Sequence, residues 1–159
     1  DVYKRQIHDK TLHAIRSGFT LSQFEQAVSD LHKRNIPVIT HLILGLPGET
    51  KEDMLSSVRY VGSLPVTGIK LQLLHILKGT DLGTAYMADP FPLFTLEEYC
   101  DLIADCIALL PPEIVIHRLT GDGPRNLLLA PLWSTDKKRV LNTIQKCLRE
   151  RDLWQGKNI

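Results

Sequence analysis

The sequence predicts an α/β fold built on a parallel sheet. Two observations carry this prediction: helical and strand patterns alternate along the chain, and three strand segments are almost continuously apolar. Strands that are buried on both faces of a parallel sheet have this apolar character, and their alternation with helices is typical of βα units. Three strands are too few to close a barrel. We therefore expect either a piece of a larger α/β barrel or a small open sheet.

The first half of the chain predicts three helices and two strands. Thr20 and Gln23 have the spacing of a capping box, which marks the start of a helix, and Thr50 with Asp53 starts the next one. The strand segments are rich in β-branched and other apolar residues, which favours burial in a sheet. The predicted helices span residues 9–17, 20–34 and 50–63, and the predicted strands span residues 36–44 and 69–75.

The second half predicts two helices, one strand and two long loops. Thr95 and Glu98 form another capping box, and Pro111 ends the helix that starts there. Ser134 or Asp136 caps the last helix. The predicted helices span residues 95–110 and about 136–151, the strand spans 113–117, and the loops span 78–94, with room for a helical turn, and 118–133.

Composition excludes several classes of protein. The 159 residues have a formal net charge of +1, which excludes nucleic-acid binding by bulk positive charge but not by a local basic patch. No apolar run reaches the roughly 18–20 residues of a membrane helix, so no membrane partner is expected. The three cysteines are widely spaced and lack metal-ligand spacing, which favours a reducing cytoplasm and predicts no metal site.

The loops that follow the predicted strands contain the candidate functional residues, because parallel α/β folds place their sites at the carboxyl ends of strands. Gly45 and Gly48 after the first strand allow a ligand to approach the backbone closely, although a simple strand-to-helix turn also explains them. His75 ends the second strand, where a structural role is the usual one. Lys78 is most simply a solvated charge.

The loop after the third strand has the highest density of polar groups. Residues 117–125 contain an imidazole, a hydroxyl, a carboxylate and two guanidinium groups within nine positions. This density makes the loop the best candidate for contact with a polar substrate. A structural turn with an Arg–Asp pair is the alternative.

Several blocks of this sequence resemble radical S-adenosylmethionine (SAM) enzymes. Residues 41–50, HLILGLPGET, resemble the fifth-strand signature of the coproporphyrinogen dehydrogenase and Elongator-like branch, and residues 68–80, GIKLQLLHILKGT, resemble its sixth strand. Three further blocks, at residues 109–113, 118–124 and 128–134, resemble the YhcC/YtqA-type bacterial family in the same order. The resemblance covers about residues 7–151.

The resemblance implies the C-terminal part of a partial (βα)6 TIM-like radical SAM barrel, plus a C-terminal helical extension. Residues 1–6 resemble a translated sequencing adapter, residues 7–119 would belong to the barrel, and residues 120–159 would form a family-specific loop and helix. The family holds its 4Fe–4S cluster with a Cys-x3-Cys-x2-Cys triplet, which this sequence lacks. The resemblance therefore implies cluster ligands outside this chain, and a chain that is inactive alone.

The resemblance also implies a reaction, partners and site residues, with no catalytic residue assigned. The reaction is reductive cleavage of SAM to a 5′-deoxyadenosyl radical, with flavodoxin or ferredoxin as electron donor and tRNA wobble-uridine modification as the implied task. The Arg118–Arg125 loop would meet the substrate. The implied SAM-binding residues are His41, Ile43, Gly45, Gly48, His75 and Ile76, and the implied substrate-loop residues are Arg118, Thr120, Asp122 and Arg125.

Two other functions stay open at this point. In related branches an acidic residue stands where His41 lies, and Ser17 falls where the family has an arginine. These departures, with the absent cysteine triplet, leave room for a non-catalytic α/β binding module. A conventional barrel lyase or aldolase would need a lysine at a strand end, but Lys70 lies in mid-strand and Lys78 lies in a loop.

Overall fold

The computed structural model describes residues 18–121 and 123–159. The predicted helix at residues 9–17, the adapter-like residues 1–6 and Asp122 lie outside this part of the chain. A short 3-10 helix, Leu132–Thr135, precedes the last α-helix. The elements in chain order are α1 Leu21–Lys33, β1 Ile39–Leu44, α2 Lys51–Gly62, β2 Gly68–Leu73, β3 Ile76–Leu77, α3 Asp81–Ala88, α4 Leu96–Ala108, β4 Val115–Arg118, β5 Leu128–Ala130 and α5 Lys137–Glu150.

A parallel sheet with the strand order β1-β2-β4 confirms the predicted α/β class. Strands β1 and β2 are in unbroken register, from Ile39 opposite Gly68 to Leu44 opposite Leu73. Strands β3 and β5 form a separate antiparallel pair. The described residues thus show an open three-stranded sheet, and the partial barrel stays a prediction.

The predicted capping boxes begin three of the helices. In each, the threonine side chain accepts a hydrogen bond from the third helical residue, whose side chain accepts one from the threonine backbone. These reciprocal bonds satisfy backbone N–H groups that have no partner within the helix. The pairs are Thr20 with Gln23, Thr50 with Asp53 and Thr95 with Glu98.

The core lies between one face of the sheet and the helices. Because side chains alternate along a strand, Leu42 and Leu44 of β1 and Leu71 of β2 point to the same face. They are buried there with Tyr99 and Ile103 of α4. The intervening residues of the strands point to the other face, and most of these are polar.

Two of the predicted loops contain secondary structure. Residues 78–94 include α3, whose N-cap residue is Thr80. This helix requires glycine at position 83, because a Cβ there would overlap the Leu77 carbonyl oxygen. The loop predicted at residues 118–133 includes β5, which forms only because β3 lies beside it. Glycine and proline residues favoured loops in both segments. In residues 118–133 the pairing of β5 with β3 overrode this local preference.

Polar contacts connect the helices outside the core. The Asp105 carboxylate on α4 lies 2.5 Å from Lys51 of α2 and 2.5 Å from Arg151, which follows α5. The Gln155 amide donates to the carbonyl oxygens of Pro111 and Ile114, at 2.7 Å each, and so fixes the C-terminal segment. Within the described ranges, no helix is both long and apolar enough to cross a membrane.

Candidate functional site

The loops that follow β1, β2 and β4 meet at one edge of the sheet. The strands are parallel, so their carboxyl ends lie on the same side. The Leu74 backbone N–H after β2 donates to the Leu44 carbonyl at the end of β1, at 2.9 Å. The Gly123 N–H in the loop after β4 donates to His75 Nδ1, at 3.0 Å. The three loops predicted to hold functional residues are therefore in contact.

A row of three basic side chains crosses the sheet on the face opposite the core. His41 of β1 is the register partner of Lys70 of β2, and Lys70 is the partner of Arg118 of β4. We call these three residues the cationic row. Ile43 and Gln72 form the next pair toward the carboxyl ends of the strands. The cationic row and this pair together form the polar face of the sheet.

A bulge in β4 places Arg118 in the cationic row. The register between β2 and β4 shifts after Ile69 and Ile116, so that Lys70 pairs with Arg118 and His117 is the extra residue. Without the bulge, Arg118 would point to the same face as Ile116, which packs against the core. Gly68 makes room for this geometry, because a Cβ there would lie 2.5 Å from His117 Nε2.

His41 is only 5% exposed, and its surroundings lower the pKa of its ring. Burial is the largest cause that lowers the pKa of His41, and the positive charges of Lys70 and Arg118 lower it further. A hydrogen bond with Gln72 opposes them, and the pKa falls from 6.5 to about 4. His41 is therefore neutral at physiological pH, which leaves Lys70 and Arg118 as the charged members of the row.

The two glycines after β1 have different surroundings. Gly45 and Gly48 both have positive φ angles, of 91° and 82°. A Cβ on Gly45 would lie 3.1 Å from the Phe94 ring, so this glycine lets the loop before α4 pack against the turn. A Cβ on Gly48 would meet nothing within 4 Å. Of the two predicted positions, Gly48 is the one that leaves open space for a ligand.

The His75 side chain holds the loop after β4. Its ring lies against the backbone of Gly121 and Gly123, where a Cβ would approach to 2.5 Å and 2.7 Å. Ile76, the next residue, is fully buried in a small apolar cluster with Leu46 and Leu74. His75 and Ile76 therefore shape the edge of the site, the first through its ring and the second through packing.

The polar residues of the loop after β4 separate into two places. Arg118 lies in the cationic row, whereas the Arg125 guanidinium donates to the Thr135 carbonyl at 2.9 Å. Thr120 is buried, and the Tyr99 hydroxyl fixes the start of the loop by donating to the Leu119 carbonyl at 2.9 Å. Asp122 lies outside the described residues. The loop is therefore not one cluster of polar groups.

Sequence reasoning missed two residues of the polar face, Lys70 and Gln72. Lys70 was considered only as a possible Schiff-base lysine, for which a mid-strand position is unfavourable. The available signal was their alternation with the apolar residues of the strand, which places both on the face away from the core. The register that sets them beside His41 and Ile43 is not readable from one sequence.

The cysteines do not form a metal site in the described part of the chain. Cys100 and Cys106 are buried, and burial raises the pKa of each thiol to about 12. Among residues 18–121 and 123–159, no group of three or more His, Cys, Asp or Glu side chains could hold a metal ion.

A family model matches the second half of the chain. Residues 66–150 match the family model described as the Radical_SAM C-terminal domain. The matched region includes β2, β4 and α5, and thus two strands of the polar face and the loop that follows them. This match confirms the resemblance that the sequence motifs indicated.

Individual relatives extend over almost the whole chain. This chain is 37% identical over 151 residues to the uncharacterized protein YtqA of Bacillus subtilis, and the match covers 95% of this chain and 47% of that protein. It is 26% identical over 157 residues to a tRNA uridine(34) acetyltransferase of Dehalococcoides mccartyi, covering 93% of this chain and 34% of that protein. The chain thus spans about half the length of YtqA and about a third of the length of the acetyltransferase.

A solved structure is similar in fold. The archaeal Elp3 of Methanocaldococcus infernus superimposes with a TM-score of 0.81 and 16% identity, over 95% of this chain and 35% of that one. At this level of identity the similarity concerns the fold alone.

Proposed function

This chain belongs to the Radical_SAM C-terminal domain family, and we propose on that basis that it forms the SAM-binding and substrate-facing side of a radical SAM barrel. In this proposal residues 7–119 are part of the barrel, and residues 120–159 are the loop and helix that close it. The observation that carries the proposal is the polar face, where charged and neutral hydrogen-bonding groups lie beside an open glycine turn.

Each part of the polar face fits a part of SAM. Lys70 and Arg118 would bind its amino-acid carboxylate, because ammonium and guanidinium groups donate charge-assisted hydrogen bonds to carboxylates. Neutral His41 would accept a hydrogen bond from a hydroxyl at one ring nitrogen, or donate one from its ring N–H. The open side of Gly48 would let the ligand approach the backbone after β1.

The remaining predicted residues have supporting roles in this proposal. Ile43 would provide apolar contact on the polar face, and Gly45 would shape the turn against Phe94. His75 and Ile76 would hold the rim of the site around the adenine. Thr120, Asp122 and Arg125 would stay with the substrate-facing loop, of which Arg118 is the first member.

The hard chemistry belongs to the cofactors. When bound, SAM and a reduced 4Fe–4S cluster supply a carbon radical that removes a hydrogen atom from the substrate. The described residues do not fit the cluster, because no metal-ligand group is found among them and Cys100 and Cys106 are buried. We therefore place the cluster ligands outside this part of the chain, and the chain alone would be inactive.

The proposed substrate is tRNA, with the wobble uridine as the modified nucleoside. The similarity to a tRNA uridine(34) acetyltransferase supports this proposal. A flavodoxin or ferredoxin would supply the electron. We place the protein in the cytoplasm, and the free thiols of all three cysteines are in keeping with a reducing compartment.

Two matched glycine variants test the SAM site. Gly48 and Gly79 have similar φ angles, of 82° and 76°, and a Cβ on either would meet nothing within 4 Å. An alanine therefore brings similar backbone strain at both positions. In the complete protein, reconstituted without oxygen, we expect Gly48→Ala to raise the Kd for SAM about tenfold. We expect Gly79→Ala to leave it unchanged, and equal effects would refute the assignment.

A second readout tests the reaction itself. The reconstituted protein should release 5′-deoxyadenosine from SAM when dithionite supplies electrons. Chromatography of the quenched mixture detects this product directly. A complete protein that binds no SAM and releases no 5′-deoxyadenosine would instead support the non-catalytic binding module.

A further inference from the structure

The exposed face of α5 carries a line of polar side chains, four of which are cations. Lys138, Asn142, Lys146 and Arg149 follow one another at intervals of three or four residues, and Arg139 lies beside them. All five side chains are exposed. We call these five residues the α5 basic stripe. From its first to its last residue the stripe is about 16 Å long, at 1.5 Å per helical residue.

Most cations of the stripe have no carboxylate partner among the described residues, whereas several other surface cations do. Lys51, Arg59 and Arg151 each lie within 2.6 Å of a carboxylate oxygen on a neighbouring residue or helix. Within the stripe, the one ion pair found in the described part of the chain joins Lys146 to Glu150 at 3.6 Å. For a protein with a net charge of +1, this is a local concentration of positive charge.

The start of α5 has cations in its first turn, although the Asp136 side chain caps the helix by accepting from the Arg139 N–H at 3.0 Å. Its first turn contains Lys137, Lys138 and Arg139 and no acidic residue, whereas α2 and α4 each carry two acidic residues there. Cations near the positive end of a helix dipole are unfavourable for the helix, and the Asp136 cap offsets only part of this. A local arrangement that lowers stability is expected where it serves binding.

The stripe is continuous with the candidate functional site. Arg125 of the loop after β4 shares a pocket of about 400 Å³ with Lys137 and Lys138. A second pocket, of about 190 Å³, joins Arg125 and Lys137 to His75 at the edge of the sheet. A chain-like anion on the stripe would therefore lead to the carboxyl ends of the strands.

We propose that the α5 basic stripe binds the phosphate backbone of RNA and guides it to the carboxyl ends of β1, β2 and β4. That this RNA is the substrate rests on the proposed function; the binding surface itself does not. A linear array of cations matches a linear polyanion, in which each strand of a duplex places a phosphate about every 3.4 Å along the axis. An acidic protein partner fits less well, because the stripe contains no aromatic anchor and Leu141 is the one exposed apolar residue of α5 beside it.

The test removes three charges from the stripe of the 159-residue chain. The stripe variant is Lys138→Gln, Arg139→Gln and Lys146→Gln, which keeps side-chain length and helix propensity. The control is Lys33→Gln, Arg34→Gln and Arg59→Gln, which removes the same charge from α1, its C-cap residue and α2. Circular dichroism melts check that all three proteins are folded. The probe is a fluorescein-labelled, unmodified tRNA transcript, and anisotropy gives Kd at several KCl concentrations.

Counterion release sets the expected size of the effect. Each phosphate contact contributes about 0.7 to the salt slope for single strands, or about fivefold in affinity at 0.1 M salt. The stripe variant should therefore bind about a hundredfold more weakly, with a slope reduced by about 2. The control should bind within about twofold of the wild type.

Three results would overturn the proposal. The stripe variant could bind as tightly as the wild type, the control could weaken as much as the stripe variant, or the wild type could bind an acidic flavodoxin but no tRNA. SAM cleavage is measured separately in the complete protein. Loss of tRNA binding in the stripe variant alone would thus confirm the surface even if SAM cleavage failed.

Discussion

Replacing Lys70 should change the protonation of His41 on the neighbouring strand. The structure places the His41 pKa at about 4, against an ordinary 6.5, with burial the largest cause and Lys70 the next among the side chains of the polar face. This difference corresponds to about 3 kcal/mol in favour of the neutral ring. Lys70→Met removes the charge and keeps the apolar stem.

The expected change follows from charge separation across adjacent strands. Strands lie about 4.8 Å apart, so a neighbouring charge alters a partly screened pKa by roughly 0.5–1 pH unit. The His41 pKa should therefore rise in Lys70→Met but stay below 6.5, because burial is unchanged. Lys33→Met removes an exposed charge on α1 and serves as the control.

Nuclear magnetic resonance measures this directly. The ring Cε1 resonances of the six histidines are followed from pH 3.5 to 8, and His41→Gln identifies the signal of His41. A wild-type His41 that titrates near 6.5 would refute the burial argument. A Lys70→Met titration that matches Lys33→Met would refute the placement of Lys70 beside it.

The same shift predicts a pH-dependent free energy of unfolding. Between pH 6.5 and about 4 the unfolded chain binds a proton at His41 and the folded chain does not. The stabilisation present above pH 6.5 is therefore lost as the pH falls toward 4, by up to about 3 kcal/mol. Urea unfolding of His41→Gln should lack this part of the decline.

Three further predictions concern the frame around the site. Asp105→Asn should lower the free energy of unfolding by about 1–3 kcal/mol, because it weakens the contacts to Lys51 and Arg151. Burial works to raise the Asp105 pKa, but these two partners hold it below 3.8. The stabilisation that the Asp105 carboxylate contributes is therefore present above about pH 4 and is lost below it. Urea unfolding at pH 7 and pH 3 measures both effects. Tyr99→Phe should cost about 1–3 kcal/mol in the same assay, because the Leu119 carbonyl loses its 2.9 Å hydrogen bond. Gly123→Ala should speed hydrogen exchange of the backbone amides in residues 118–125, because its Cβ would lie 2.7 Å from His75 Nδ1.

Each of these predictions has a result that would contradict it. An Asp105→Asn variant as stable as the wild type at pH 7 would show that the two ion pairs are solvated contacts of little net value. A Tyr99→Phe variant with unchanged stability would mean that water replaces the hydroxyl. Gly18→Ala is the control for Gly123→Ala, since a Cβ there meets nothing within 4 Å, and equal exchange in the two variants would refute the role of His75.

Local signals in the sequence were enough to predict most of the frame. Capping boxes depend on residues three apart, so Thr20, Thr50 and Thr95 could be identified without any tertiary information. The strands of the parallel sheet were predicted from their apolar residues, although β4 is not buried on both faces, since Val115 and His117 are exposed. The loop predicted at residues 78–94 left room for a helical turn, and the structure has the helix α3 there, in which the close Leu77 carbonyl requires glycine at position 83.

The candidate site was less predictable, because it depends on register and on a bulge. Lys70 becomes a candidate site residue only because it lies beside His41 and Arg118. Arg118 points to the polar face only because His117 is the extra residue of the bulge. The ring of His75 binds a loop almost fifty residues away, which no local pattern indicates. Sequence therefore pointed to one edge of the sheet for the candidate site, and tertiary geometry decided which side chains lie together there.

The central claim is that the polar face of the sheet binds SAM. Its most direct test is the Kd for SAM of the complete reconstituted protein, measured by equilibrium dialysis for the wild type, Lys70→Met and Lys33→Met. Loss of a charge-assisted contact of about 1.5–3 kcal/mol predicts a Kd at least about tenfold higher for Lys70→Met, and no change for Lys33→Met. An unchanged Kd in Lys70→Met would contradict the claim.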